Sequence, residues 1–243
     1  MQYKAVIFDV GGTLLRWGDW PVFERFLRKH SECAQDSPSA QLRTDASLLR
    51  ELMISHFNRN RAGAVGQGAN EDEVWSYWQR VLAVALREWN RPDYGDHLLE
   101  PMASAVVLGQ MDELFTDTRS TLDRLRSSGV TLGVISNWNR NLPHELARLG
   151  LDVHFEFVIV SSIAGVAKPA PEIFNMGLRA AGCESHEALY VGDNVDDDCL
   201  GAHGVGMDVV LIDRTGRLQH RPSSCTRVYS SLEELTDDLL RTT

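Results

Sequence analysis

The chain has 243 residues, of which 43% are hydrophobic and 24% charged, with a formal net charge of −10. This is the balance of a globular domain. The acidic excess argues against nucleic acid or an anionic membrane as partner, since both call for clustered Lys and Arg. It leaves room for a phosphorylated substrate, because a bound divalent cation can reverse the local field. Apolar runs are of strand length only, so no membrane span is expected. The sequence enters a strand within a few residues of its start, which leaves no space for a secretory signal and implies a cytoplasmic location. Cys33, Cys183, Cys199 and Cys225 form no Cys-x-x-Cys pair and are expected to be reduced, structural thiols.

Short, almost wholly apolar segments recur at residues 5–8, 130–135, 157–160, 188–191 and 209–212. Strands of that kind suit a parallel sheet covered on both faces. Helical patterns lie between them. Residues 119–128 carry Leu122 and Leu125 and stop at Gly129; Pro171 opens a helix that runs to Gly182. Ser231 and Glu234 form a capping-box pattern before Leu235, Leu239 and Leu240. Strand and helix alternate, and the predicted fold is α/β, a doubly wound parallel sheet.

Residues 16–114 interrupt this rhythm with amphipathic helical stretches at 22–30, 42–58, 71–89 and 95–111, the second and third separated by a glycine-rich loop at 63–70. The expected organisation is therefore a core of residues 1–15 and 115–243 with an inserted all-helical cap, 16–114. Five of the six tryptophans (Trp17, Trp20, Trp75, Trp78 and Trp89) lie in this insertion and read as helix-packing residues.

The chemistry concentrates where the strands end. Asp9 closes the first apolar run and opens Val10-Gly11-Gly12-Thr13, where glycines let backbone N–H groups approach an anion and Thr13 adds a hydroxyl. Ser136-Asn137 follows the second run, Lys168-Pro169 the third, and Gly192-Asp193 the fourth, with Asp196, Asp197 and Asp198 beyond. Each group has an ordinary reading alone: a helix cap, a surface charge, a solvated helix start. In an open parallel sheet, however, ligands bind beyond the carboxyl ends of the strands. One site would then collect a carboxylate, a hydroxyl, an ammonium and an acidic cluster.

The ordered set Asp9-x-x-Gly12-Thr13, Ser136-Asn137, Lys168-Pro169 and Gly192-Asp193-x-x-x-x-Asp198 resembles the haloacid dehalogenase superfamily, in its helical-cap branch. The resemblance implies a Rossmann-like core and a Mg²⁺-dependent phosphohydrolase acting on a small phosphorylated metabolite. Asp9 would be the nucleophile forming an aspartyl-phosphate. Ser136 would donate to a phosphoryl oxygen, and Lys168 would neutralise the phosphate and keep Asp9 ionised. Gly12, Thr13 and Asn137 would complete phosphate binding. Mg²⁺ would sit between Asp9, the Gly11 carbonyl and Asp193, with Asp198 as ligand or support. Asp196 and Asp197 match no family position and read as solvated neighbours. No partner motif appears, so monomer and homodimer both stay open.

One position departs from the pattern. Phosphatases of the superfamily carry Asp two residues after the nucleophile as general acid and base, and here that residue is Gly11. General acid–base help is worth about 10²–10⁴-fold in rate. Asp19 and His30 are candidates to replace it. Three readings follow: a slow or leaving-group-restricted phosphatase, a 2-haloacid dehalogenase using Asp9, or a non-catalytic phosphate- and metal-binding protein. Lys29 is the only lysine of the insertion, and nothing around it suggests Schiff-base activation. Trp138 either covers a pocket wall or packs against the neighbouring helix.

Overall fold

The computed structural model describes residues 2–59, 71–94, 96–216, 218 and 221–241, so the predicted loop at 63–70 lies outside the described residues. The chain divides into two compact units: Met1–Arg16 with Leu114–Thr243, and Trp17–Glu113. Strands are numbered β1 (Ala5–Phe8), β2 (Leu15–Trp17), β3 (Asp112–Leu114), β4 (Thr131–Ser136), β5 (Phe157–Val160), β6 (Ala188–Gly192), β7 (Asp208–Ile212) and β8 (Arg227–Tyr229). No helix among the described residues is long and apolar enough to cross a membrane.

The first unit is built on a six-stranded sheet of order β5-β4-β1-β6-β7-β8, with every pairing parallel. Alternation of side chains along each strand explains why the strands are apolar throughout. On β1, Val6 and Phe8 join one buried cluster with Leu122, Leu125 and Leu146, while Ala5 and Ile7 join another with Ile173 and Phe174. The same division holds on β6, where Leu189 and Val191 face the first cluster and Ala188 and Tyr190 the second. The sheet is thus a layer between two sets of helices, which is the α/β fold expected.

Local rules set the helix limits. Pro171 starts the helix Pro171–Ala181, and Gly182 ends it with φ 64°, a left-handed conformation that glycine adopts without steric cost. The C-terminal helix is Leu232–Arg241, and the Ser231 hydroxyl accepts from the Glu234 N–H at 3.1 Å as the capping pattern predicts. The return bond differs from the expectation. Glu234 accepts from Ser230, which offers both its N–H and its hydroxyl at 2.9 Å, rather than from Ser231.

Cys199 and Cys225, expected as free thiols, are joined as a disulfide with Cα atoms 5.8 Å apart, and both are buried. They are 26 residues apart in sequence, and only the packing of this unit makes them neighbours. Cys33 and Cys183 are free.

The second unit contains helices Trp20–His30, Glu32–Asp36, Ser39–Arg59, Glu71–Trp89 and Leu99–Val107 around a core that includes Phe23, Leu27, Leu49, Met53, Leu82 and Met102. Its buried polar centre is Asp45, which accepts from Tyr94 Oη at 2.5 Å, from Gln41 at 3.0 Å and from Arg91. Trp89 is buried and donates Nε1–H to the Asp45 carbonyl, and Trp78 stacks on Phe57 at 5.3 Å. The single helix expected over 95–111 is instead a short turn, Asp96–Leu98, followed by Leu99–Val107. Pro101 explains the break, since proline fits a helix only in its first turn. Gly95 lies outside the described residues.

Asp117 ties distant parts of the first unit together. It accepts two bonds from Arg214, both 3.0 Å, and one from the Leu232 N–H at 2.8 Å. Arg214 also donates to the Thr13 carbonyl at 2.9 Å and lies 3.6 Å from the Phe115 ring centroid. Asp117→Ala should leave a mostly buried guanidinium unpaired and destabilise the chain by about 3 kcal/mol, measured by urea unfolding against wild type.

Candidate active site

Strand β1 is the point where the sheet reverses its order: β4 and β5 extend on one side, β6 to β8 on the other. Such a reversal opens a crevice at the carboxyl ends of the strands. Asp9 enters it directly after β1, with its N–H bonded to the Val191 carbonyl of β6 at 2.8 Å. Ser136 is the last residue of β4, and Asp193 follows the last residue of β6. Three chain segments far apart in sequence therefore deliver polar groups to one edge.

The turn after Asp9 is tight, with the Leu14 and Leu15 N–H groups both donating to the Val10 carbonyl. Gly12 has φ 80°, and a Cβ there would lie 2.3 Å from Asp193 Oδ2. Glycine is required on both counts, since a side chain would be strained and would displace the carboxylate. The buried Thr13 hydroxyl has no hydrogen-bond partner among the described residues. A buried orphan of this kind marks a position where an external acceptor is wanted.

Lys168 is the centre of the arrangement. Its Nζ lies 2.9 Å from Asp9 Oδ1, 2.6 Å from Asp198 Oδ1 and 3.1 Å from the Tyr190 hydroxyl. An ammonium has three hydrogens, and these three acceptors engage all of them. The loop bearing it is clamped from β4: the Lys168 N–H donates to Asn137 Oδ1 at 2.8 Å, and Asn137 Nδ2 donates to the Lys168 carbonyl at 3.0 Å. Ser136 Oγ donates to Asp9 Oδ1 at 2.7 Å. Oδ1 of Asp9 is thus doubly bonded, while no protein hydrogen bond to Oδ2 occurs among the described residues.

Asp198 is fully buried and accepts at Oδ2 from the Asp193 and Asn194 N–H groups, at 3.1 and 3.0 Å. It reaches back to the strand from a wide helical turn, Val195–Leu200, which the Asn194 side chain caps by accepting from the Asp196 and Asp197 N–H groups. Asp196 is exposed, as expected of a solvated neighbour. Gly192 leaves room for this return, because a Cβ there would lie 2.3 Å from Asp198 Oδ2.

The electrostatics follow from burial and pairing. Burial pulls the Lys168 pKa down, but Asp198 and Asp9 together outweigh it and hold the ammonium above its ordinary range. Burial raises the Asp198 carboxyl, against the lowering effect of Lys168. Burial, then the Asp198 and Asp9 charges, push the Tyr190 phenol well above its usual value, so it stays protonated and donates to the Ile135 carbonyl at 2.9 Å.

Carboxylate oxygens of Asp9, Asp193 and Asp198 lie within 4.8 Å of one another. An all-oxygen set of this size and charge fits a hard divalent cation. Both Asp198 oxygens already accept protein hydrogen bonds, so it is bound to the protein on both sides while Asp9 is bound on one.

The structure thus gathers Asp9, Gly12, Thr13, Ser136, Asn137, Lys168, Asp193 and Asp198 at one edge. The Asn137 amide is committed to the Lys168 backbone, so its side chain positions the lysine. Asp19 and His30 belong to the helical unit, where Asp19 pairs with Arg50 at 3.7 Å and the His30 ring lies on Phe26. Tyr190 was not anticipated. Its only sequence signal is a polar-tipped aromatic in the middle of an otherwise apolar strand.

Lys168→Met should leave two buried carboxylates without their counter-charge and cost about 3 kcal/mol of stability at neutral pH. Burial already raises the Asp198 carboxyl, and without the lowering effect of Lys168 it would favour protonation still more in the folded chain, so stability should recover as pH falls. Urea unfolding at pH 7 and pH 5 measures this, with the smaller deficit expected at pH 5.

Comparison with known proteins agrees with this geometry. The family described as haloacid dehalogenase-like hydrolase matches residues 3–206. The chain is 35% identical over 237 residues to haloacid dehalogenase-like hydrolase domain-containing protein 3 of Danio rerio, covering 96% of this chain and 94% of that one. It is 38% identical over 225 residues to glyceraldehyde 3-phosphate phosphatase of Methanothermobacter thermautotrophicus, covering 86% and 85%. Among solved structures it resembles a HAD phosphatase from Thermococcus onnurineus, with TM-score 0.61, 26% identity and 97% of each chain covered. A central lysine shared by strand-end carboxylates, on this sheet order and with these relatives, makes the chain a member of the haloacid dehalogenase-like hydrolases.

Proposed function

We propose that the chain is a Mg²⁺-dependent phosphohydrolase acting on a small phosphorylated metabolite through an aspartyl-phosphate. The observation that carries this reading is the asymmetry of Asp9, whose Oδ1 is held by Ser136 and Lys168 while Oδ2 has no protein hydrogen bond among the described residues. A carboxylate fixed on one oxygen presents the other as a nucleophile of defined direction. The orphaned Thr13 hydroxyl supplies a donor for a phosphoryl oxygen. The relative named glyceraldehyde 3-phosphate phosphatase favours phosphorus over carbon as the centre attacked.

Asp9, the Gly11 carbonyl and Asp193 would hold Mg²⁺, with Asp198 as ligand or support. When bound, the cation supplies charge neutralisation at the phosphoryl oxygens. Lys168 sets its ammonium against Asp9 Oδ1 in a buried setting, and Asn137 fixes the backbone of that lysine. The Trp17–Glu113 unit would act as the cap that selects the substrate and excludes water.

Wild type should release phosphate from p-nitrophenyl phosphate with Mg²⁺ and lose that activity in EDTA. Asp9→Asn should reduce turnover to background in a phosphate-release assay. Unchanged release by Asp9→Asn would remove the nucleophile assignment. Halide release from a 2-haloacid that persists in EDTA would replace the phosphatase reading with the dehalogenase one. Asn137→Ala should lower kcat by roughly 10-fold, since a loosened lysine misplaces the charge beside Asp9; steady-state kinetics over a range of substrate concentrations measures it.

A further inference from the structure

Gly11 is not a glycine for reasons of backbone conformation. It is absent from the positive-φ residues, which include its neighbour Gly12. What opposes a side chain at position 11 is Trp138, whose Cζ3 would lie 3.0 Å from a Cβ there, with Cη2 at 3.8 Å and Cε3 at 4.0 Å. The ring edge stands against the place where a position-11 side chain would begin, closer than an ordinary van der Waals contact, so the ring would have to shift by a few tenths of an ångström to admit one. It is not free to yield easily, because Trp138 packs on the core cluster of β1 and β4. Its backbone is also held on both sides by Ser161, which accepts from the Trp138 N–H at 3.2 Å and donates to its carbonyl at 3.4 Å.

The other proton-bearing groups around Asp9 in this unit are committed. Ser136 donates to Asp9, the three Lys168 hydrogens face Asp9, Asp198 and Tyr190, and the Tyr190 hydroxyl faces Ile135. The Thr13 hydroxyl can donate a hydrogen bond, but an aliphatic alcohol does not give up a proton at neutral pH.

We propose that Gly11 and Trp138 are a matched pair that fills the proton-transfer position with an aromatic ring. The preferred substrates are then phosphates of weakly basic leaving groups (acyl, enol or aryl phosphates) over those of aliphatic alcohols. This rests on the phosphohydrolase reading. In the first step Asp9 Oδ2 forms a bond to phosphorus, and the bond from phosphorus to the departing oxygen breaks with its electron pair on that oxygen. The group leaves as an anion and takes its proton from solvent water afterwards, which only a weak base does readily. Water then attacks the aspartyl-phosphate, its proton passes to the phosphate, and the Asp9 carboxylate returns.

The test is phosphate release with Mg²⁺ from aryl phosphates of graded phenol acidity and from glyceraldehyde 3-phosphate. Wild type, Trp138→Ala, Gly11→Asp and the double variant are compared, each with an Asp9→Asn blank. Wild type should fall steeply with leaving-group basicity, by 100-fold or more between p-nitrophenyl phosphate and the aliphatic ester. Gly11→Asp alone should not flatten that dependence. Gly11→Asp with Trp138→Ala should raise the aliphatic rate by about 10²-fold, the lower end of general acid–base catalysis. A flat wild-type dependence, or an equal gain from Gly11→Asp alone, overturns the proposal.

If no variant shows Asp9-dependent release, the phosphohydrolase reading fails and takes the substrate preference with it. The pairing itself is still decided by thermal melting. Gly11→Ala should lower the midpoint in wild type and leave it unchanged in Trp138→Ala, a non-additive cycle between contacting residues. Equal shifts in both backgrounds overturn the pairing.

Discussion

One buried ammonium organises the candidate active-site edge of this protein. Lys168 is 5% exposed, and such a charge is tolerable only with opposite charges and hydrogen-bond acceptors on every side. Asp9 and Asp198 supply the charges and Tyr190 the third acceptor. Each partner comes from a different segment: the end of β1, the turn after β6, and the middle of β6. The lysine therefore ties the loop after β5 to strand ends that the β1–β6 pairing already holds side by side. Two carboxylates near one another would repel, and the ammonium between them turns that repulsion into a network.

The network explains the division of labour among the aspartates. Asp198 spends both oxygens on the protein, holding the Asp193 and Asn194 N–H groups and the lysine. Asp9 spends one oxygen and keeps the other. Lys168 is the cation that offsets these carboxylates at the edge, and the cluster of Asp9, Asp193 and Asp198 is of a kind that could hold a metal ion.

Two adjacent glycines show how differently one residue type can be required. Gly12 serves the backbone and the approach of Asp193, and it would be glycine whatever the reaction. Gly11 has an ordinary backbone, and its missing side chain is matched by an indole in the space. The first is a condition of the turn, the second a condition of the pocket wall. A side chain at Gly12 is opposed by the backbone and by the Asp193 carboxylate, and one at Gly11 by the Trp138 ring edge alone.

The sequence by itself determined five of the six strands of the main sheet, all but β8, and most of the candidate site. Apolar runs such as Ala5–Phe8 are legible because a strand buried on both faces has no polar positions. Asp9, Ser136, Lys168, Asp193 and Asp198 were legible because each is a polar residue placed where such a run ends, or soon after one. Tertiary structure alone decided what those residues do to one another. The Asn137 clamp on Lys168, the Tyr190 hydroxyl beneath the ammonium and the Cys199–Cys225 disulfide all join residues by distances the linear chain does not encode. Gly11 was visible as a gap in a pattern. That an indole 127 positions along the chain fills the gap depends on two strands lying side by side, which is a property of the folded sheet.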